Sequence, residues 1–339
     1  MEKLAVIMAG GKGERFWPLS REDHPKQFLR IKGDKELIEA AVERVGGLFD
    51  HILIITTRKL EDKVRRRFKD VTVIAEPVGK NTAPCAAVAT KFAEKNGFNL
   101  VGLFPADHYI ENLDGFNKNV SDALRMAENG FISTIGIKPT RPDTGFGYIE
   151  RGEMIEKGIY KVVKFYEKPE FERARDYLAS GKFYWNGGMF FWRTDVFFDE
   201  LAHHAPSVME PLKEYPIEEL ELIYSKMPFI SIDYALLEKT TKTVVVESRF
   251  FWEDLGSYIA LERVIEKNSN SNVVVGESVE LDARDNIIVS QNGLVAVLGI
   301  KDMVVVHTAD ITLVLPKDRV QEVKKIVKIL REKGKTEYL

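Results

Sequence analysis

The sequence is poor in the residues that mark several common chemistries. Cys85 is the single cysteine among 339 residues, so neither an intrachain disulfide nor a multi-cysteine zinc or iron–sulfur site can be built from it. The six histidines are scattered, and the adjacent pair His203–His204 would point about 100° apart on a helix, too divergent to chelate one ion. No apolar run approaches the roughly 18 residues of a membrane-spanning helix. The stretch Leu4–Ala9 is also shorter than the ~7–15 apolar residues at the heart of most signal peptides, so a cytoplasmic, reducing setting is expected. Charge of one sign is missing too: 49 Lys and Arg stand against 52 Asp and Glu, a net −3. A field this small predicts neither nucleic acid nor membrane as a partner. Any anion bound here must be held by local groups.

What remains is the composition of a globular enzyme, 45% hydrophobic and 30% charged, which excludes a disordered or collagen-like chain. The length suggests about two domains. Leu4–Met8, Ile52–Thr56, Val71–Ala75, Leu100–Phe104 and Ile132–Ile137 are short, near-continuous apolar runs, as strands buried on both faces require. Between them Glu36–Val45, Leu60–Phe68, Pro84–Lys95 and Phe116–Glu128 carry apolar residues three and four apart, with Thr82 and Pro84 placed as cap and first-turn proline of the third helix. This alternation predicts an open α/β sheet whose ligand site lies beyond the carboxyl ends of its strands.

From about Gly145 the pattern is mixed. Strands are expected at Tyr148–Glu150, Val162–Glu167, Met189–Trp192 and Thr243–Val246, and helices near Glu172–Leu178, Asp195–Ala202, Glu218–Lys226 and Ser257–Glu266. Lys267–Asn272 is polar throughout and is the best linker candidate. Beyond it, Val275, Leu281 and Ile287 recur at six-residue steps, as do Val273 and Val279; the spacing suits a short β-helix, and plain strand alternation equally. An amphipathic helix from about Asp318 to Lys333 closes the chain.

Local chemistry concentrates at strand ends. Leu4–Met8 runs into Gly10-Gly11-Lys12-Gly13-Glu14-Arg15, where glycines let backbone N–H groups approach phosphate oxygens and Arg15 offers a guanidinium fork; Lys26 supplies a second cation. A dinucleotide fingerprint fits poorly, because Phe16 stands where a third small residue is needed, and an NTPase phosphate loop does not fit either, because Lys12 and Lys80 are followed by Gly13 and Asn81 rather than Ser or Thr. Asp107 follows the strand Leu100–Phe104 and Asp254 sits in a second acidic turn; each alone is an ordinary turn or cap residue, but with a phosphate loop they make a magnesium pair. Lys168 at a strand end, Asn186 beside two glycines, and the Glu76–Pro84 loop between strand and helix are further candidates.

Seven segments, in order over nearly the whole chain, then resemble one family: Gly10–Phe28, Glu76–Cys85, Pro105–His108, Phe165–Pro169, Trp185–Phe190, Ser231–Glu238 and Trp252–Ser257 are similar to those of the mannose-1-phosphate guanylyltransferases, also called GDP-mannose pyrophosphorylases. Lys80 where an arginine is usual, Cys85 for alanine and Gly187 for serine are the departures. The resemblance implies Mg²⁺ as cofactor, GTP and mannose 1-phosphate as substrates, GDP-mannose and pyrophosphate as products, and a homodimer joined by a C-terminal β-helix. It assigns Gly10, Gly11, Gly13, Arg15 and Lys26 to the nucleotide phosphates, Glu76, Asn81 and Thr82 to the nucleoside, and Asp107 and Asp254 to the metal. Gly147, Glu167 and Asn186 would face the mannose and Lys168 its phosphate, with Arg15, Lys26 and Lys168 carrying catalysis; Asp233 lies in a family motif without an assigned role. The fold expected is α/β: a Rossmann-like, mostly parallel open sheet flanked by helices over residues 1–267, then a small β-rich, left-handed β-helix-like domain ending in a helix over 268–339. A nucleotidyltransferase using another sugar 1-phosphate or base, and a sugar-nucleotide-binding regulator without turnover, stay open as alternatives.

Overall fold

The computed structural model describes residues 1–11 and 13–339; Lys12, within the glycine-rich run, lies outside the described residues. Contacts divide the chain into two compact units that do not follow its sequence order. The first comprises Met1–Gly10, Ala41–Pro105 and Ile110–Trp252, and the second Gly11–Ala40, Ala106–Tyr109 and Glu253–Leu339.

In the first unit the expected apolar runs form β1 (Lys3–Ala9), β2 (His51–Thr57), β3 (Thr72–Glu76), β4 (Leu100–Pro105) and β5 (Ile132–Ile137). They are joined by β6 (Tyr148–Glu156), β7 (Ile159–Tyr166), β8 (Phe183–Arg193) and β9 (Thr243–Glu247) in one nine-stranded sheet, ordered β3-β2-β1-β4-β8-β5-β9-β7-β6. β1 is flanked on both sides and its residues Leu4 to Ile7 are wholly buried, which is why it reads as an unbroken apolar run. The β3-β2-β1-β4 half is parallel as expected. Beyond it the sheet is mixed: β8 runs antiparallel to β4, β5 and β6, and β7 antiparallel to β6 and β9. The description mostly parallel therefore holds for one half only. β6 and β7 are linked by Lys157-Gly158 alone, Gly158 at φ +81°, and so short a link can form a hairpin but never the crossover that parallel strands need.

The second unit ends in a four-stranded sheet, β10 (Val273–Leu281), β11 (Ile287–Leu298), β12 (Met303–His307) and β13 (Thr312–Pro316), the first three parallel and the last antiparallel. Val273, Ile287 and Val304 stack in register and are fully buried. The coil steps are therefore 14 and 17 residues, not six, and Val279 and Leu281 of the six-residue series are 54% and 60% exposed. Within each coil, alternation sorts the side chains between two clusters: Ile287, Val289, Val304 and Val306 enter the main core of this unit, and Ile288, Val295 and Val305 a smaller one.

The proposed linker is also ordered. Asn272 is fully buried: its amide donates to the Ala283 carbonyl at 2.9 Å, and its side-chain oxygen accepts from the Asn286 backbone N–H at 2.8 Å. Asn286 repeats the arrangement one coil on, donating to the Ile300 carbonyl and accepting from the Met303 N–H. This ladder satisfies the buried backbone at each corner. Around it, Phe16, Trp17, Leu255 and Tyr258 share one hydrophobic core with Val273, Ile287, Val304 and Val323, so the segment after the glycine loop and the β-rich tail fold as one body.

Candidate functional site

Each unit gathers part of the expected residue set. In the second unit, Gly13 sits at φ +62°, a conformation that costs any other residue, and its carbonyl accepts the Phe16 N–H at 2.9 Å and the Ser20 hydroxyl at 2.6 Å. The resulting turn lays Gly13 directly on Lys26: a Cβ at position 13 would collide with the Lys26 Cβ and lie 3.0 Å from its backbone nitrogen. Lys26 is only 7% exposed, and its Nζ meets the Asp107 carboxylate at 2.8 Å and donates to the Asp254 main-chain carbonyl. Gly13, Arg15, Lys26, Asp107, Asp254 and Lys324 line a cleft of about 390 Å³. A larger hollow of about 590 Å³ in the same unit is faced by Leu19, Phe28, Ile31, Leu261, Val275 and Val289 among others, and holds neither paired carboxylates nor the glycine turn.

The two cleft carboxylates are tuned apart. Burial works to raise the Asp107 pKa, but the charges of Lys26 and His108 and the Lys26 hydrogen bond together hold it below the ordinary value. Asp254 is pushed upward by burial and by the nearby Glu253 and Asp107 charges, against the pull of Lys26 and the Gly256 N–H. Asp107 and Asp254 would be the protein ligands of a divalent cation. Among the described residues no group of three His, Cys, Asp or Glu could cage a metal. Two carboxylates in a polar cleft, with space for phosphate and water, is nonetheless the donor set Mg²⁺ commonly takes, so the residues fit that ion.

In the first unit a second group converges. Asn186 lies on β8, where its backbone N–H donates to the Gly147 carbonyl at 2.8 Å and its Nδ2 donates to the Asp233 carboxylate at 2.8 Å. Its Oδ1 accepts the Gly188 N–H at 3.1 Å, which fixes the orientation of the amide. Glu167 borders Gly147 so closely that a Cβ there would fall 2.6 Å from its Oε2. Lys168, at φ +45°, pairs with Glu167 at 2.6 Å and remains largely exposed. Burial and the Glu167 charge raise the Asp233 carboxyl to a pKa of about 6. Gly147, Glu167, Lys168 and Asn186 are thus neighbours, and Asp233 joins them as the partner of Asn186.

Glu76 closes β3 next to Gly10, whose Cβ, were it present, would lie 3.4 Å from the Glu76 Oε2. Its other oxygen accepts the Tyr224 hydroxyl at 2.8 Å, and burial lifts its pKa to about 7 although the tyrosine bond pulls it down. Asn81 and Thr82 are committed to local structure. Asn81, at φ +73°, caps the helix Thr82–Lys95 by accepting the Thr82 N–H at 2.8 Å, so the cap is Asn81 rather than the expected Thr82. The Thr82 hydroxyl accepts the Ile232 N–H at 2.9 Å and so fastens the Ser231–Glu238 segment. Lys80, the departure from the family pattern, donates to the Met227 carbonyl at 3.0 Å. Tyr224 and Lys324 had no motif to mark them: each comes from a helix whose periodicity says only that one face is apolar.

The chain is similar to known proteins along nearly its whole length. A family model described as nucleotidyl transferase matches residues 4–272, and one described as MannoseP isomerase/GMP-like beta-helix domain matches residues 276–330. A mannose-1-phosphate guanylyltransferase of Salmonella typhimurium is 37% identical over 100% of this chain and 74% of its own length. One of Escherichia coli is 38% identical over 99% of this chain and 75% of its own. A solved structure from Thermus thermophilus, described as a mannose-1-phosphate geranyltransferase, matches with a TM-score of 0.93 at 37% identity, covering 98% of this chain and 100% of that one.

Proposed function

Because this chain belongs to the nucleotidyl transferase family and, within it, to the mannose-1-phosphate guanylyltransferases, we propose that it makes GDP-mannose and pyrophosphate from GTP and mannose 1-phosphate. The observation that carries this reading is the cleft lined by Arg15, Lys26, Asp107 and Asp254, with no activated nucleophile beside them among the described residues. The sole cysteine is buried, and burial raises its pKa well above that of a free thiol, so a thiolate mechanism has no support.

The chemistry follows from charge. A sugar phosphate oxygen attacks the α-phosphorus of GTP in line, the bond to the β-phosphate oxygen breaks, and pyrophosphate leaves. The second pKa of a phosphate monoester is ~6, so the attacking oxygen is already anionic near neutral pH and needs no protein base. Anion repulsion and charge growing on the leaving group are the obstacles, and fixed cations lower both. Gly10, Gly11 and Gly13 leave backbone N–H groups open to the phosphates, and Arg15 adds a two-pronged donor. Lys26 holds Asp107 ionised and in place while presenting its own charge to the cleft. A bound Mg²⁺, held by Asp107 and Asp254, would neutralise phosphate oxygens.

On the sugar side Gly147, Glu167 and Asn186 face the mannose hydroxyls, Lys168 takes the sugar phosphate, and Asp233 fixes the Asn186 amide. Glu76 offers a carboxylate to the N–H donors of guanine, and Asn81 and Thr82 shape the loop beside it. The same reading places the protein in the cytoplasm. No helix among the described residues is long and apolar enough to cross a membrane. It forms a homodimer through the outer face of β10 and β11, where Val279, Leu281, Leu294 and Leu298 are 54–68% exposed, an apolar surface suited to burial against a second copy.

Pyrophosphate release with Mg²⁺, measured for GTP, ATP, UTP and dTTP against mannose, glucose and N-acetylglucosamine 1-phosphates, tests the assignment. GTP with mannose 1-phosphate should dominate. A stronger signal from another pair would overturn the substrate assignment, and silence with tight GDP-mannose binding would point to a regulator.

A further inference from the structure

Lys324 lines the Gly13–Asp254 cleft from the C-terminal helix, and nothing in the family motifs marks it. The helix Val323–Glu332 buries Val323 and Val327 in the core shared with Phe16 and Trp17. It is tied to the segment after the glycine turn by Arg331, which reaches Glu14 at 3.4 Å and Glu22 at 3.2 Å. Just past its end, the Tyr338 carbonyl accepts the Trp17 indole N–H at 2.7 Å. The buried Val323 anchors the first turn, and the Arg331 and Tyr338 contacts fix the far end of the helix, so Lys324 is held at the cleft.

The charges around that cleft divide into two classes. Lys26 is paired with Asp107. Other cations of the helix are paired as well: Lys325 with Glu322 at 2.9 Å, Lys328 with Glu332 at 3.7 Å, and Arg331 with Glu14 and Glu22. Lys324 and Arg15 line the same cleft, and neither has an ion pair or hydrogen bond among the described residues. The cleft's acids Glu14, Asp107 and Asp254 balance its three cations in number, but Asp107 is taken up by Lys26 and Glu14 by Arg331, so Arg15 and Lys324 are left uncommitted among the described residues and can both turn to an incoming polyanion.

We propose that Lys324 is a phosphate-contacting residue of the reaction, placing its ammonium with the Arg15 guanidinium on the β- and γ-phosphates of the nucleotide and on the departing pyrophosphate. The β-rich tail then supplies a group to the chemistry in addition to its part in the fold. This rests on the nucleotidyl transfer assigned above, but the anion site itself can be tested without any turnover.

The experiment compares the full-length protein with Lys324→Ala, Lys324→Arg and, as a control on a paired neighbour, Lys325→Ala. Binding of inorganic pyrophosphate is measured by calorimetry at fixed ionic strength, and KM and kcat are measured for GTP and for mannose 1-phosphate. Lys324→Ala should weaken pyrophosphate binding and raise the KM for GTP about tenfold each, the loss of one charged contact to phosphate, with the KM for mannose 1-phosphate unchanged. Lys324→Arg should restore both, and Lys325→Ala should match the unsubstituted protein. Equal pyrophosphate affinity in Lys324→Ala and the unsubstituted protein would overturn the proposal, as would an equal loss in Lys325→Ala, which would reveal a diffuse field in place of a contact. If the protein binds pyrophosphate through Lys324 yet transfers no guanylyl group, the anion site stands and the assigned reaction fails.

Discussion

Replacing Gly13 by alanine should damage both the stability of the second unit and its activity, and the magnitude can be worked from two features. Gly13 occupies φ +62°, where an L-residue costs about 1–2 kcal/mol more than glycine. The added methyl would also collide with the Lys26 Cβ and lie 3.0 Å from its backbone nitrogen. These are atoms at and beside the main chain, so no side-chain rotation removes the clash, and forced overpacking of this kind adds about 1–3 kcal/mol. Together the loss is about 2–5 kcal/mol in urea denaturation. The relief available is movement of Lys26, whose Nζ holds Asp107 and the Asp254 carbonyl, so turnover should fall as well. Gly11→Ala is the internal control: nothing lies within 4 Å of where its methyl would stand and its φ is not positive, so stability should hold while pyrophosphate release drops if the backbone there meets phosphate. A Gly13→Ala denaturation curve that superimposes on that of the unsubstituted protein would refute the reasoning.

Three further outcomes are expected. Asp107→Asn should lower pyrophosphate release at least about a hundredfold without unfolding, the scale of losing one electrostatic group at a phosphoryl-transfer site; near-normal turnover at saturating Mg²⁺ would remove Asp107 from the site. Glu76 titrates near 7 in the fold against 4.5 when unfolded, so the native state holds the extra proton and its stability falls as pH rises between those values. Glu76→Gln should therefore gain up to about 3 kcal/mol relative to the parent at pH 8 and nothing at pH 4, and equal stabilities at pH 8 in urea titrations would contradict the shift. The double substitution Leu281→Glu and Leu298→Glu, at side chains 60% and 68% exposed, should halve the mass seen by light scattering while leaving the fold intact; an unchanged mass would rule out a dimer through that face.

Much of this protein is determined locally and is therefore visible in its sequence. The parallel strands announce themselves because full burial on both faces demands unbroken apolar runs, as in Leu4–Met8 and Leu100–Phe104. The glycine turn and the strand-end Asp107 are visible because phosphate and metal chemistry require particular residues at short spacing. The 14- and 17-residue coil steps were also present, in the repeat of Asn272-Val273-Val274-Val275, Asn286-Ile287-Ile288-Val289 and Met303-Val304-Val305-Val306, but the more conspicuous six-residue spacing of valines masked them.

Tertiary structure decided what depends on residues far apart in the chain. Nothing in the sequence of β8 tells it to run antiparallel inside a sheet that began parallel; that follows from which edges of β4, β5 and β6 are open to it. The polar Lys267–Asn272 stretch reads as a linker because burying asparagine is costly, and only the stacked coils provide the carbonyl and N–H partners that make Asn272 a buried structural residue. Lys26 next to Asp107, Tyr224 bonded to Glu76, and Lys324 lining the cleft with Arg15 join residues separated by 81, 148 and 309 positions. Side-chain type and local spacing carry the chemistry a residue can perform, while its charge partners, and so its ionisation and its availability to a ligand, exist only once the chain has closed around it.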